Sequence, residues 1–115
     1  MTKSFKEQYS FVERRNEYNK IRKSYPERIP IIVEQGNDKT LKLEKTKFLI
    51  PIGLTYGQTS HVIKKHCKLD STQAIMMMVD DVVPQASRSI EDIYIKYKAD
   101  DGFLYVTLMR ESVFG

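Results

Sequence analysis

His66 and Cys67 are adjacent, and an imidazole beside a thiol is the pairing a nucleophilic site uses. Sequence neighbours on a helix point in different directions, however, and no third group is evident to orient the base, so the pair does not read as catalytic. His61 and His66 lie five apart and do not share a helix face as an i, i+4 metal pair would; they read as solvated residues beside Lys64 and Lys65. The stretch Gly53-Leu-Thr-Tyr-Gly57 shares only its glycines with phosphate-binding loops and reads as a turn. Cys67 is the single cysteine, so no internal disulfide forms and a cysteine zinc site lacks partners; it reads as a small, partly buried core residue. Met76, Met77 and Met78 read as core fillers of a strand, and the pairs Asp80-Asp81 and Asp100-Asp101 as turn residues. No catalytic residue, metal or cofactor is therefore expected.

The elements that hold these residues must fit in 115 residues, enough for one domain with one core. Hydrophobic residues make up 41% and charged residues 30%, and no window approaches the roughly 18–20 apolar residues of a membrane span. The first residues lack the apolar region of a secretory signal and a glycine at position 2, which sets the cytoplasm as the expected compartment. Residues 1–28 hold eight Lys/Arg against four Asp/Glu, whereas the rest carries eleven of each, so the whole excess of +4 lies at the N-terminal end.

Ser4-x-x-Glu7 and Ser10-x-x-Glu13 both have capping-box form and predict two successive helices. The stripe Phe11, Tyr18, Ile21 and Tyr25 should face the core, with Arg14, Arg15, Lys20 and Lys23 mostly off it, until Pro26 stops the helix. A strand follows over 28–34, with Pro30 placing part of it at an edge or bulge; 35–46 reads as a polar connection. A second strand over 47–52 carries Pro51, which argues for an unpaired side. Thr55-x-x-Gln58 caps a helix ending near Cys67, 74–80 reads as a strand, Ser89 caps a short helix, and an Asp-Gly turn leads into the last strand. This order describes an α+β roll of mixed sheet around one helix, with room for a short strand that pattern reading misses.

The segments YSFVERRNEYNKIRKSYPERIPIIVE, KFLIP, LTYGQ, DGFLYVT and ESVFG, in this order, resemble the ubiquitin-like autophagy modifiers, the autophagy-related protein eight family that includes GABARAP and the light-chain-three proteins. The resemblance runs from Phe5 to Gly115 and implies a ubiquitin-like β-grasp with two additional N-terminal helices: a helical extension over 1–26, the core over 27–109 and a conjugation tail over 110–115. It also implies that a cysteine protease cuts after Gly115, gripping Phe114 and engaging Arg28. The exposed carboxylate is then passed by activating and conjugating enzymes to phosphatidylethanolamine, which brings the protein to autophagosome and vesicle membranes. A glycine suits that route because no Cβ obstructs its entry into a narrow enzyme channel. Whether Gly115 ends the native chain or a processed form stays open.

By the same resemblance, cargo receptors carrying aromatic-x-x-aliphatic motifs add a strand along the edge at 47–51. The aromatic pocket would comprise Glu17, Ile21, Pro30, Ile32, Lys47, Leu49 and Phe103, and the aliphatic pocket Phe48, Ile50, Pro51, Leu54, Val62 and Ile63. Strand alternation sends Phe48 and Ile50 to one side and Lys47 and Leu49 to the other. Acidic residues flanking the motif would meet Arg28, Lys45 and Lys47. Thr59 replaces an aromatic, and His66 an arginine, that relatives usually place near the aliphatic pocket, which bears on ligand preference. Ile21, Ile32, Leu49 and Phe103 read alternatively as core residues under the N-terminal helix, and an unconjugated adaptor in trafficking or scaffolding is the alternative function. No specific nucleic-acid partner is expected, since no aromatic stacking platform accompanies the modest positive charge.

Overall fold

The computed structural model describes residues 3–36, 41–68 and 74–110. Both N-terminal capping boxes form. The Glu7 carboxylate accepts from Ser4 N at 2.9 Å while Glu7 N donates to Ser4 Oγ at 3.2 Å, opening α1 (Phe5–Gln8). Glu13 and Ser10 repeat the exchange at 2.8 and 3.1 Å and open α2 (Phe11–Ser24), which ends just ahead of Pro26.

Four strands form the main sheet: β1 (Arg28–Glu34), β3 (Lys47–Pro51), β5 (Ile75–Met78) and β6 (Leu104–Arg110), in the order β3-β1-β6-β5. The ladder is parallel between β1 and β6, with Ile31 opposite Leu104, and antiparallel elsewhere. Along the chain, β2 (Lys42–Leu43) falls between β1 and β3, and it pairs with β4 (Cys67–Lys68) in a separate two-stranded ribbon. The crossover elements are α3 (Tyr56–Lys64), capped by Thr55 and Gln58, and α4 (Ile90–Tyr97), capped by Ser89. The architecture is the expected α+β class, with a mixed four-stranded sheet and four helices among the described residues.

Both faces of this sheet are covered. On one, Ile29, Ile31, Val33, Phe48, Ile50, Leu104, Val106 and Leu108 pack with Ile63 of α3 and Ile90 and Ile93 of α4 into the main core. On the other, Ile32 joins Ile21 of α2 and Phe103 in a small second cluster. This two-sided burial makes β1 a near-continuous apolar run rather than an alternating one, as a central strand requires.

Several expectations are corrected. Pro30 sits in a central strand, not at an edge. Val33 N donates to Thr46 O (2.7 Å) and Ile52 N to Glu27 O (3.1 Å), so the odd-numbered β1 residues bond to β3 and the Pro30 nitrogen faces β6. The β6 ladder begins one residue later, at Ile31, so no ladder bond is lost. The stripe on α2 is also displaced: Phe11 and Tyr25 are exposed, and the inward face is Arg14, Tyr18 and Ile21. The polar connection at 35–46 contains β2 and the buried Leu41, and α3 stops short of Cys67, which lies buried in β4. Of the three methionines only Met77 is fully buried; Met76 and Met78 face the other way. Asp80 and Asp81 do form a turn, with φ of 51° and 64° between the mutually bonded Val79 and Val82.

Candidate functional site

β3 is an edge of the sheet, and the bonding phase says which of its backbone groups are free. Ladder bonds to β1 come from Thr46, Phe48 and Ile50, so the amide and carbonyl of Lys47 and Leu49 point away from the sheet. Pro51 has no amide to offer and terminates the row. The outward Leu49 carbonyl accepts from Arg28 Nη1 at 3.1 Å, a charged donor filling the place a strand amide would take. An unpaired edge of this length is a template for an added strand.

The residues assigned to the aromatic pocket come from α2 (Glu17, Ile21), β1 (Pro30, Ile32), β3 (Lys47, Leu49) and the turn before β6 (Phe103). Ile32 and Phe103 are fully buried, Pro30 and Ile21 nearly so, and Leu49 is half-buried on the cluster they form. Above them Lys47 Nζ meets Glu17 Oε1 at 2.8 Å, with both side chains 39% exposed, so this pair contributes at most about 1 kcal/mol and yields easily. The floor is closed from above by Phe5, whose ring meets Phe103 edge-on at 5.3 Å, and flanked by Tyr18 at 6.1 Å. Ile21, Ile32 and Phe103 are thus assembled at one place and, in this arrangement, act as core.

The opposite face carries Phe48, Ile50, Leu54, Val62 and Ile63, while Pro51, two residues on from Leu49, is exposed at the end of β3 on the Lys47 and Leu49 side. Phe48, Ile50 and Ile63 are 3%, 2% and 1% exposed and belong to the main core, because the alternation that turns Lys47 and Leu49 outward turns their neighbours inward. Leu54 and Val62 are half-buried against that core and Pro51 is exposed, so these three keep accessible surface where the buried three do not. His66 is not simply solvated: its ring meets Phe48 edge-on at 5.3 Å, and Lys45 Nζ lies 4.9 Å from the Phe48 centroid, so two donors guard the rim. Thr59 is wholly buried and spends its hydroxyl on the Thr55 carbonyl (2.8 Å), so it contributes no surface to the site.

One functional group was missed in the sequence. Asp101, read as a turn residue, is 1% exposed and accepts three hydrogen bonds: from Arg14 Nε at 2.8 Å, Phe103 N at 2.9 Å and the Tyr105 hydroxyl at 2.5 Å. It ties α2 to the residues that floor the aromatic face. Burial, reinforced by the hydrogen bond to Asp101, pushes the Tyr105 hydroxyl well above its ordinary pKa and keeps it a donor. Its neighbour Gly102 has φ of +100°, and a Cβ there would fall 2.4–2.6 Å from the Tyr18 ring. The Tyr94 hydroxyl donates to the Gly102 carbonyl at 2.6 Å and holds this turn against α4. An arginine falling one turn from an apolar stripe, with an Asp-Gly pair far along the chain, leaves no local signal of their partnership.

Phe114 and Gly115 lie outside the described residues. Among those described, no three His, Cys, Asp or Glu side chains converge as metal ligands would, and no helix is long and apolar enough to cross a membrane.

The family model for the autophagy protein Atg8, ubiquitin-like, matches residues 13–115. Autophagy-related protein 8 of Schizosaccharomyces pombe is 39% identical over 116 residues, spanning all of this chain and 96% of its own. Autophagy-related protein 8h of Arabidopsis thaliana is 38% identical, with 100% and 98% covered. Among solved structures, Trypanosoma brucei ATG8 superposes with a TM-score of 0.86 at 35% identity, covering 96% of this chain and 97% of that one. Plasmodium falciparum Atg8, solved in complex with a Plasmodium falciparum Atg3 peptide, gives 0.85 at 31% identity, covering 94% and 96%. With the family model spanning most of its length and relatives at this identity covering all of it, the chain belongs to the Atg8 family of ubiquitin-like autophagy proteins.

Proposed function

We propose that this chain is a modifier rather than a catalyst: joined through Gly115 to phosphatidylethanolamine, it captures aromatic-x-x-aliphatic peptides of cargo receptors on β3 during autophagosome formation. The observation that carries the reading is the unpaired β3 edge, flanked by one apolar face under α2 and another beside α3, with Arg28, Lys45 and Lys47 along its rim. The added strand would bond to the outward groups of Lys47 and Leu49, send an aromatic side chain to the face of Ile21, Ile32 and Phe103, and an aliphatic one to Pro51, Leu54 and Val62.

Burying two such anchors gains roughly 3–6 kcal/mol before ordering costs, and with the strand bonds this places affinity in the micromolar range. That a P. falciparum relative is solved with an Atg3 peptide supports peptide capture by this fold, and a conjugating enzyme as one of the partners. A processing cysteine protease reading Phe114 and Arg28, and an activating enzyme, complete the set. Lipid attachment would move the protein from cytoplasm to autophagosome and vesicle membranes, since two acyl chains at about 0.8 kcal/mol per buried CH₂ hold a domain stably where one does not.

The test is a titration of the labelled protein with an acid-flanked Phe-x-x-Leu peptide, followed by amide resonances. The Lys47 and Leu49 amides, free in the unliganded protein, should shift downfield and become protected from exchange, while those of Phe48 and Ile50 stay as they are. Equal changes in all four, or none, would rule out strand addition at this edge.

A further inference from the structure

Pro51 ends the row of unpaired backbone groups on β3, and Arg28 stands beside the gap it leaves. The two residues lie directly opposite one another in the β1–β3 ladder. Thr46, Phe48 and Ile50 turn their backbone groups toward β1, so the Pro51 nitrogen points outward in the same row as the Leu49 carbonyl, and it carries no proton. The Arg28 side chain crosses this end of β3 and places Nη1 3.1 Å from the Leu49 carbonyl oxygen.

An added strand meets both features. One of its amides takes the Leu49 carbonyl and displaces the guanidinium there. One of its carbonyls is then aimed at the Pro51 nitrogen and finds no donor, whether the strand runs parallel or antiparallel to β3. We propose that Arg28 is a movable substitute for the amide that Pro51 lacks: it caps the Leu49 carbonyl while the edge is free and passes to the unserved carbonyl of the peptide backbone once a strand is added. The inference rests on reading β3 as a peptide-binding edge and adds a hydrogen bond that the edge itself cannot make.

The geometry suits such a transfer. The carbonyl of residue 49 and the nitrogen of residue 51 are about one strand rise apart, roughly 3.3 Å, so the end of the side chain can swing between the two positions without a change in the backbone. The base of the side chain is held: Arg22 Nη1 donates to the Arg28 carbonyl at 3.0 Å, and Ile52 N to the Glu27 carbonyl at 3.1 Å. Its head is not. Arg28 is exposed, and among the described residues no carboxylate pairs with it, so the Leu49 carbonyl is what keeps the guanidinium in place.

The exchange trades one charged hydrogen bond for another and spares the peptide a carbonyl left without a partner. Because the acceptor is main chain, this contribution does not depend on the peptide's side chains and is separate from any ion pair with an acidic flank. It also favours one register, since only a strand with an amide on Leu49 brings a carbonyl within reach of Arg28.

The test is a backbone ester scan of an acid-free Phe-x-x-Leu peptide, each ester replacing one amide bond and making its carbonyl a poorer acceptor. Affinities are measured for the wild type and for Arg28→Ala, with the amide spectrum of the variant checking its fold. One ester position should weaken binding to the wild type by about three- to tenfold, the share of a charged hydrogen bond that a poorer acceptor forfeits, and leave binding to Arg28→Ala unchanged. The difference should persist in 0.5 M salt, because the acceptor is neutral. If every ester costs both proteins the same, or if Arg28→Ala binds the parent peptide more tightly with no such position, the guanidinium only obstructs the edge and the inference falls while the groove stands. If the parent peptide binds neither protein, the groove reading fails and takes this inference with it.

Discussion

Asp101→Ala removes one carboxylate and strands three donors at once. The Arg14 guanidinium, 12% exposed as a side chain, loses its counter-ion, and Phe103 N and the Tyr105 hydroxyl lose their acceptor inside the protein. Breaking a buried ion pair from one side typically costs about 3–5 kcal/mol, and each orphaned buried donor about 1–3 kcal/mol. These penalties overlap, because Arg14 can swing toward water, so about 4 kcal/mol is expected for the whole substitution. Against a stability of roughly 5–15 kcal/mol for a domain, that is a large fraction of the total. Urea unfolding followed by far-UV circular dichroism would read it as a lower midpoint with an unchanged slope. The melting temperature should fall by roughly 12–20 °C, at about 4 °C per kcal/mol. Asp101→Asn, which keeps an acceptor for Phe103 N but not the charge for Arg14, should cost about half as much. A loss below about 1 kcal/mol for Asp101→Ala would refute the reasoning, since it would mean that water already satisfies these donors in the native protein.

Gly102→Ala puts a methyl into the Tyr18 ring at a positive φ and should cost about 2–4 kcal/mol by the same urea assay; a neutral result would show that the turn relaxes freely. Lys47→Ala should leave stability within about 0.5 kcal/mol, because its ion pair is exposed, yet weaken an acid-flanked peptide several-fold at low salt, and the difference should shrink at 0.5 M salt. The Glu7 and Glu13 carboxyls are held below the ordinary 4.5, first by the backbone amides and then by the hydroxyls of Ser4 and Ser10. A depressed folded pKa means stability present above 4.5 and lost as pH falls through the lower folded value, so α1 should loosen on acidification through that window, seen as smaller protection factors, each taken against the intrinsic exchange rate at that pH, for the Glu7 and Gln8 amides. Glu7→Gln should blunt that response; an unaltered pH profile would show that the carboxyl is not what holds the cap.

Helix starts were the most legible part of the fold, because a capping box is a local device: Ser4, Ser10 and Thr55 each announce their helix within four residues. The edge character of β3 was legible too, through Pro51. Pro30 misled because the same residue type serves a different purpose in a central strand, where only the start of the neighbouring ladder makes its missing amide harmless. β2 and β4, at two residues each, carry no periodicity and exist only because they meet each other. The residues that resemblance assigns to the aromatic pocket lie together beside α2, whereas Arg14, four residues before Tyr18 on the same helix face, was set off the buried stripe for its charge, since a guanidinium becomes an inward residue only when a carboxylate 87 positions away is waiting for it. For Phe48, Ile50 and Ile63 the limit was different: alternation told which face they occupy but not that this face is already filled by α3 and α4.

The proposed modifier role puts the working end of the protein at Gly115. The most direct test incubates the purified protein with ATP, the family's activating and conjugating enzymes and phosphatidylethanolamine liposomes, and weighs the product by mass spectrometry. The predicted result is a lipid adduct mapped to Gly115 and absent in Gly115→Ala, with peptide binding at β3 the same in both proteins. A protein that stays unmodified alongside a relative that the same enzymes conjugate would contradict the claim and leave a groove-binding adaptor in its place.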